Sequence, residues 1–226
     1  MKGGEKVLDQ LIIGNLASCD DFDASVKERT NTPGKKKSIK ETVPFSNITY
    51  DFSKINGELY WEERTLKYVF EITASTPEEL EEKKSAFAAW VMNVMNEEIY
   101  DPFIENYHFI GTFDDIEYSD DDIKSTITVT FTAYPYMISN TKKEYAFSLV
   151  NGAVTTARIT NNSSHRITPT FVNDFPVTIQ KGNVEFTIDS GETTDDTFQF
   201  EPGVTEVLIT AIGTGNLKIV FSEEVF

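Results

Sequence analysis

The chain has 226 residues, of which 39% are hydrophobic and 12% aromatic, with Phe 17, Tyr 9 and a formal net charge of −17. That aromatic share excludes a disordered chain, and the acidic balance excludes a protein that coats nucleic acid, because a phosphate backbone would be repelled across most of the surface. At roughly 100–150 residues per domain the length suits one large domain or two small ones, and bulky Phe and Tyr suit the pleated surfaces of a β-rich chain.

The opening MKGGEKVLDQLIIG holds only Leu11, Ile12 and Ile13 as a consecutive apolar run, too short for a signal h-region or a membrane span. No membrane insertion is expected, and residues 7–13 read as a first strand. Cys19 is the one cysteine and cannot form an internal disulfide, which favours an intracellular assembly site. No histidine lies near it in sequence, so it reads as an inert packing residue.

Residues 20–42 are polar and read as a mobile loop or an extended arm, bent at Pro33 and Gly34 and carrying Lys35, Lys36, Lys37 and Lys40. Against an acidic chain this cluster is either a solvated loop or an arm that docks on the acidic surface of a neighbouring copy. In the second case complementary charge fixes register more than it supplies affinity. Val43, Pro44 and Phe45 close the stretch, and residues 48–52 suggest a short strand. Residues 66–73 alternate Leu66, Tyr68, Phe70 and Ile72 against a polar face, the period of a half-buried strand.

A helix follows. Thr76 is placed to cap it, Pro77 occupies its first turn and Glu79 completes a capping box. Leu80, Phe87, Val91 and Val94 share one face, with Trp90 and Met95 beside it, and Glu81, Glu82, Lys83 and Lys84 form the expected solvated side. The helix is expected to end near residues 98–100, ahead of Asp101 and Pro102.

Residues 107–112 read as another strand. An acidic run, Asp114, Asp115, Glu117, Asp120, Asp121 and Asp122, then surrounds Ile116 and Tyr118. The stretch TITVTFTAYPYMIS, residues 126–139, places Ile127, Val129, Phe131 and Ala133 on one face. It stops at Pro135, which cannot donate to a ladder. Tyr134 and Tyr136 flank that proline, and the three residues read as a clamp at a domain boundary rather than a binding site. The boundary is expected near residues 138–145, giving domains 1–140 and 141–226, and truncation after about residue 139 should leave a folded first domain.

From residue 145 onward only short strands appear, separated by glycine-rich turns. Val177 and Ile179 pair with Val184, Phe186 and Ile188 as one predicted hairpin. Val207 and Ile209 are set against Leu217, Ile219 and Phe221 as a second, across the turn at residues 213–216. Strands at this spacing indicate a β-sandwich or jelly roll. No internal repeat is present.

Catalytic and metal chemistry find little support. Asp120, Asp121 and Asp122 lack the glycine and terminal glutamate of an EF-hand loop, and charge runs are commonly just solvated. His108 and His165 fall in different predicted domains, and His108 reads as a half-buried packing residue inside an aromatic strand. There is no Gly-x-Ser-x-Gly, no phosphate-cradling glycine loop and no HExxH. No enzyme activity, metal or cofactor is therefore expected. A glycosidase survives as an idea only because carboxylates are abundant. The sequons at Asn47 and Asn162 read as chance matches.

The order of these pieces resembles the distal tail protein family of long, non-contractile-tailed phages and prophages of Gram-positive bacteria. TVPFSNITYDFS (residues 42–53) resembles that family's Val-Pro turn leading into a strand. YWEERTLKYVFEI (60–72) resembles its Arg-x-Leu-x-Tyr-x-Phe strand, with the helix TPEELEEKKSAFAAWVMNVM after it. YHFIGTF and TVTFTAYPYM resemble its strand pair with a Pro-aromatic close. VNGAVTTARITNNSSHRITPTF (150–171) and NLKIVFSEEVF resemble its C-terminal galectin-like module.

The resemblance spans almost the whole chain, loosely over residues 1–30. It implies a mainly β protein: an N-terminal β-sandwich with one packed α-helix, then a galectin-like β-sandwich. It further implies a structural virion protein at the tail tip, assembled in the host cytoplasm. Six copies would form a ring, which can stack, joining the tail tube protein to the tail-tip hub protein, with tape-measure and receptor-binding proteins as further candidate partners. A carbohydrate-binding module contacting host cell-wall glycans is the competing reading. Both tryptophans, Trp61 and Trp90, lie outside the C-terminal part, which weakens it.

Overall fold

A computed structural model describes residues 9–42, 44–54 and 59–226. Val7 and Leu8 of the expected first strand, and Val43 of the Val-Pro turn, lie outside the described residues. Two compact units share the chain, Met1–Met137 and Ile138–Phe226. Among the described residues, no helix is long and apolar enough to cross a membrane.

The first unit begins with β1 (Ile12–Ile13), β2 (Leu16–Ala17), α1 (Ser18–Phe22) and β3 (Ser25–Thr32). The arm expected over residues 20–42 is thus shorter than read. Polar as it is, SVKERTNT pairs with β6 (Arg64–Thr73) from Ser25↔Glu71 to Thr32↔Thr65. An edge strand can be polar on most of its surface while its backbone is satisfied by one neighbour, so composition alone hid it. The remaining strands are β4 (Lys40–Thr42), β5 (Thr49–Asp51), β7 (Glu97–Tyr100), β8 (Tyr107–Asp121) and β9 (Lys124–Ala133). Successive antiparallel pairing gives the order β3-β6-β9-β8-β7-β1-β2, and β4 and β5 pair separately with each other.

The period-2 reading of β6 and β9 holds. Leu66, Tyr68, Phe70 and Ile72 face inward with Ile127, Val129, Phe131 and Ala133, all 3% exposed or less. Helix α2 (Pro77–Met92) covers this face with Leu80, Phe87 and Val91. Its Thr76 hydroxyl accepts from the Glu79 N–H at 3.2 Å, while the Glu79 carboxylate reaches the Ser75 N–H at 2.8 Å. The helix ends six residues or more before the expected stop. Asn93 caps it, donating from Nδ2 to the Ala89 carbonyl, and Asn96 turns the chain with φ of 57°. Glu97–Tyr100 is then claimed by two neighbouring strands, β8 and β1, whose ladder bonds displace helix continuation.

The second unit is a sandwich of two antiparallel four-stranded sheets. One has the order β15 (Gly191–Thr194), β12 (Thr170–Asn173), β17 (Gly215–Val225), β10 (Met137–Leu149). The other runs β11 (Val154–Asn161), β16 (Gly203–Ala211), β13 (Val177–Lys181), β14 (Val184–Ile188). Ile159, Val177, Ile179 and Ile209 of the second sheet meet Phe171, Leu217 and Ile219 of the first, with Phe198 and Phe200 filling the core between them. The β13–β14 hairpin forms as expected, Val177 opposite Ile188 and Ile179 opposite Phe186.

The second expected hairpin does not form. β16 pairs with β11 and β13, and β17 pairs with β12, so the turn at residues 213–216 crosses from one sheet to the other. Both glycines of that turn pass close to Phe175: a Cβ on Gly213 would lie 2.8 Å from the ring, and one on Gly215 2.9 Å. Alternation marks which residues face the core, but strands on opposite sheets share that core as readily as strands in one ladder.

Candidate subunit interface

The lysine cluster lies on a β-ribbon that continues β3 and β6. Beyond Thr32↔Thr65, Lys36 bridges Trp61, the Lys37 N–H donates to the Tyr60 carbonyl and the Glu62 N–H donates to the Lys35 carbonyl. The ribbon then pairs Lys40↔Asp51, Glu41↔Tyr50 and Thr42↔Thr49. From Lys36 to Thr42 it runs roughly 20 Å at strand spacing. Gly34 stands at its root, where a Cβ would sit 1.8 Å from the Glu62 carbonyl oxygen, so only glycine lets the two backbones meet. Pro33, Lys35, Lys36, Lys37 and Lys40 are all exposed.

Sequence reading missed the apolar side of this ribbon. Strand alternation sets Ile39 beside Phe52 and Glu41 beside Tyr50, so Ile39, Ile48, Tyr50 and Phe52 share one face. Ile39 is 54% exposed, Ile48 56%, Tyr50 51% and Phe52 40%, and Phe45, in the β4–β5 turn with φ of 62°, stands wholly in solvent. The Tyr50 and Phe52 rings stack at 6.3 Å. Beneath them Ser53 is buried and accepts from the Ile39 N–H. The signal was legible as the alternation I-x-Y-x-F at positions 48–52, but a lone two-stranded ribbon is marginally stable in water and one apolar face of it calls for a cover. Full burial against a partner stabilises by about 1.5–3 kcal/mol for each large apolar side chain.

The residues at the end of the first unit gather around a buried arginine. The Tyr134 and Tyr136 rings lie 5.6 Å apart, Tyr134 39% exposed and Tyr136 buried. The Pro135 carbonyl accepts from Arg64 Nε at 2.9 Å, and Arg64 also donates to Asn31 and covers the Phe109 ring. Burial lowers the pKa of Arg64, which remains charged because a guanidinium starts far above neutrality. No feature of the chain's alternation singled out Arg64 as a centre of packing.

Two further charged clusters were missed or misread. Lys84 falls on the buried stripe of α2 with Leu80, Phe87 and Val91, not on the solvated side as expected. Its stem is covered while its ammonium meets Asp120 at 2.5 Å and Glu81 at 2.9 Å. Burial works to lower its pKa, but these carboxylates outweigh burial and raise it; Asp120 is held below the usual carboxylate range by Lys84 and the Ser125 hydroxyl. Asp120 therefore has a structural partner within the acidic run. Asp101, 3% exposed, accepts from Arg29 Nε at 2.9 Å and from the Phe103 N–H.

Other single residues settle into packing. His108 is 6% exposed, more buried than expected, beside the Tyr100 ring. Cys19 is partly exposed, donates to the Asp9 carbonyl, and its thiol is pushed up by burial and by neighbouring aspartates. Among the described residues, no group of three His, Cys, Asp or Glu side chains is placed to hold a metal.

In the second unit, a groove of about 390 Å3 lies on the outward side of the β15-β12-β17-β10 sheet, lined by Lys142, Thr168, Thr170, Glu192, Phe221 and Ser222 among others. The sheet's aromatic side chains, Tyr145, Phe147, Phe171 and Phe221, point the other way, into or against the core. Phe221, the aromatic of the groove's lining, is 5% exposed and belongs to the core, so it offers little open face for a sugar to stack on.

No family model matches the chain, and no curated protein matches its sequence. Solved structures do. A crystal structure of SPP1 Dit, described as a paradigm of the hub adsorption apparatus in phages infecting Gram-positive bacteria, superposes with a TM-score of 0.68 at 12% identity, covering 96% of this chain and 99% of that one. The phage P2 baseplate in its activated, calcium-bound conformation gives 0.46 at 10% identity, covering 95% and 97%, a likeness too loose to establish a fold. Over nearly its whole length, the chain has the fold of SPP1 Dit, mainly β with one long helix.

Proposed function

We propose that this chain is a structural virion protein that forms a homohexameric ring at the distal end of a phage tail and joins the tail tube to the host-adsorption apparatus. The observation that carries this reading is the fold shared with SPP1 Dit over both chains' lengths. The uncovered apolar face of the β4–β5 ribbon supports it, because a face of this kind fits a protein that works as part of an assembly. The ribbon, with Lys35, Lys36, Lys37 and Lys40 on it, contacts the neighbouring copy; the tube protein and the tail-tip hub protein bind the two faces of the ring. Tyr134, Pro135 and Tyr136 hold the chain's exit from the first unit. The net charge of −17 suits a ring whose lumen lets DNA slide past a surface that repels it.

The role is architectural rather than catalytic, and the protein sits in the virion tail tip after assembly in the host cytoplasm. The carbohydrate-binding alternative is less favoured, since the outward groove of the second unit offers hydroxyls and charges while its aromatic, Phe221, is buried in the core.

Light scattering at high concentration, with negative-stain microscopy, tests the proposal. A sixfold multiple of the 25.5 kDa chain, or stacks of it, and ring-shaped particles are expected. A monomer that stays monomeric even when mixed with the tube and hub proteins of the same tail would overturn it.

A further inference from the structure

The first unit carries a second uncovered apolar feature besides the ribbon. Where β1 turns into β2 and α2 ends, a groove of about 400 Å3 is lined by Ile13, Leu16, Trp90, Asn93, Val94 and Glu97. Leu16 is 41% exposed, and Met92 and Met95 in the same segment are 56% and 75% exposed. Ile13, Leu16, Val94 and the half-covered Trp90 make an apolar floor, and the exposed Glu97 stands at its rim.

Ribbon and groove are complementary in chemistry. The ribbon brings Ile39, Ile48, Tyr50, Phe52 and Phe45 together with four exposed lysines, and the groove offers an apolar floor with the Glu97 carboxylate at its edge. They cannot meet within one copy. Glu97 lies three strands from the ribbon's root, through Glu97↔Gly111, Gly111↔Ala133 and Ala133↔Arg64, which is about 14 Å across the sheet. The root itself is pinned by the Gly34–Glu62 approach and the Lys36–Trp61 bridge, which aim the ribbon outward as a continuation of β3 and β6. Folding the ribbon back onto its own groove would break those contacts.

We infer that the groove at Ile13, Leu16, Trp90 and Val94 receives the β4–β5 ribbon of a second copy, with the ribbon's lysines meeting Glu97. This rests on the ring reading above and names the two surfaces that make the ring. The two surfaces are different patches, so the contact is head-to-tail, the kind that closes into a ring when its rotation is a simple fraction of a turn.

Engineered cysteines test it in the full chain with Cys19→Ser as background. Tyr50→Cys combined with Leu16→Cys gives, on mild oxidation, a ladder of covalent oligomers reaching the ring size. An equimolar mixture of the two single-cysteine proteins stops at dimers. As a second arm, Glu97→Lys raises the concentration needed for assembly at least tenfold, and adding Lys36→Glu and Lys37→Glu restores it. Circular dichroism verifies that each variant is folded.

A sixfold mass by light scattering without the ladder, and without charge rescue, overturns the groove assignment and leaves the ring reading standing. That pattern is expected if the groove belongs to the tube protein or the ribbon inserts elsewhere. Absence of any assembly by the unmodified chain, alone or with its tail partners, overturns both.

Discussion

Asp101 is nearly sealed from water and leans on Arg29, the Phe103 N–H and the Tyr68 hydroxyl. Burial raises its pKa above the usual carboxylate value, against the lowering pull of the Phe103 N–H and Arg29. A raised folded-state pKa means that the native state holds this proton more tightly than the unfolded chain. Whatever stability that supplies is present at low pH and is lost as pH rises through the folded value. Above it, the charge depends on Arg29. Arg29→Ala is therefore expected to destabilise the first unit by about 3 kcal/mol near neutral pH, by leaving a buried charge uncompensated. The deficit shrinks as acidification protonates Asp101. Urea unfolding of both proteins across the acid range reads this directly, and a deficit that is flat with pH would rule it out. Lys84 teaches the complementary lesson. Its charge suggested solvent, while its place in the i, i+4, i+7 stripe put it on the core side, and position prevailed because its ammonium could still reach Asp120 and Glu81.

At the level of elements, alternation and capping were reliable where a decision depended on neighbours in sequence. β6, β9 and the N-terminus of α2 follow from side chains within a few residues of one another. The misread elements were those decided by distant strands: the end of α2, β3 and the β16–β17 connection. Gly213 allows that crossing between sheets by letting the chain pass Phe175. Gly213→Ala should cost about 1–3 kcal/mol by overpacking. In a Phe175→Ala background the added cost should shrink without vanishing, since the colliding ring is gone while the Cβ of residue 175, 2.9 Å away, remains. A double-mutant cycle by denaturant unfolding checks this, and strict additivity of the two costs would refute the contact. The ribbon's apolar face belongs to this scale too: its alternation was visible at positions 48–52, but its exposure was not, since the same pattern serves a buried strand equally well.

For the molecule as a whole, the two cores draw on separate parts of the chain. The first contains residues from Leu11 to Ala133, and the second from Leu149 to Phe221. A core complete within its own unit gives each piece the means to fold alone. Fragments 1–137 and 138–226 are each expected to be soluble and to melt cooperatively by circular dichroism. A fragment that is unfolded, while the full chain is stable, would show that the units depend on each other.

The sequence by itself determined the β-rich class, the core faces of the principal strands and the capped start of the long helix. Each of these rests on local periodicity or on side chains that meet their own neighbours. Only the tertiary structure decided that residues 25–32 form a strand, that β16 and β17 lie in opposite sheets, that Lys84 is buried, and that an apolar ribbon face and an apolar groove stand open on one unit. Those outcomes depend on which distant backbone offers a hydrogen-bond partner and which surfaces find a cover, and a pattern of residues along one strand carries no record of either.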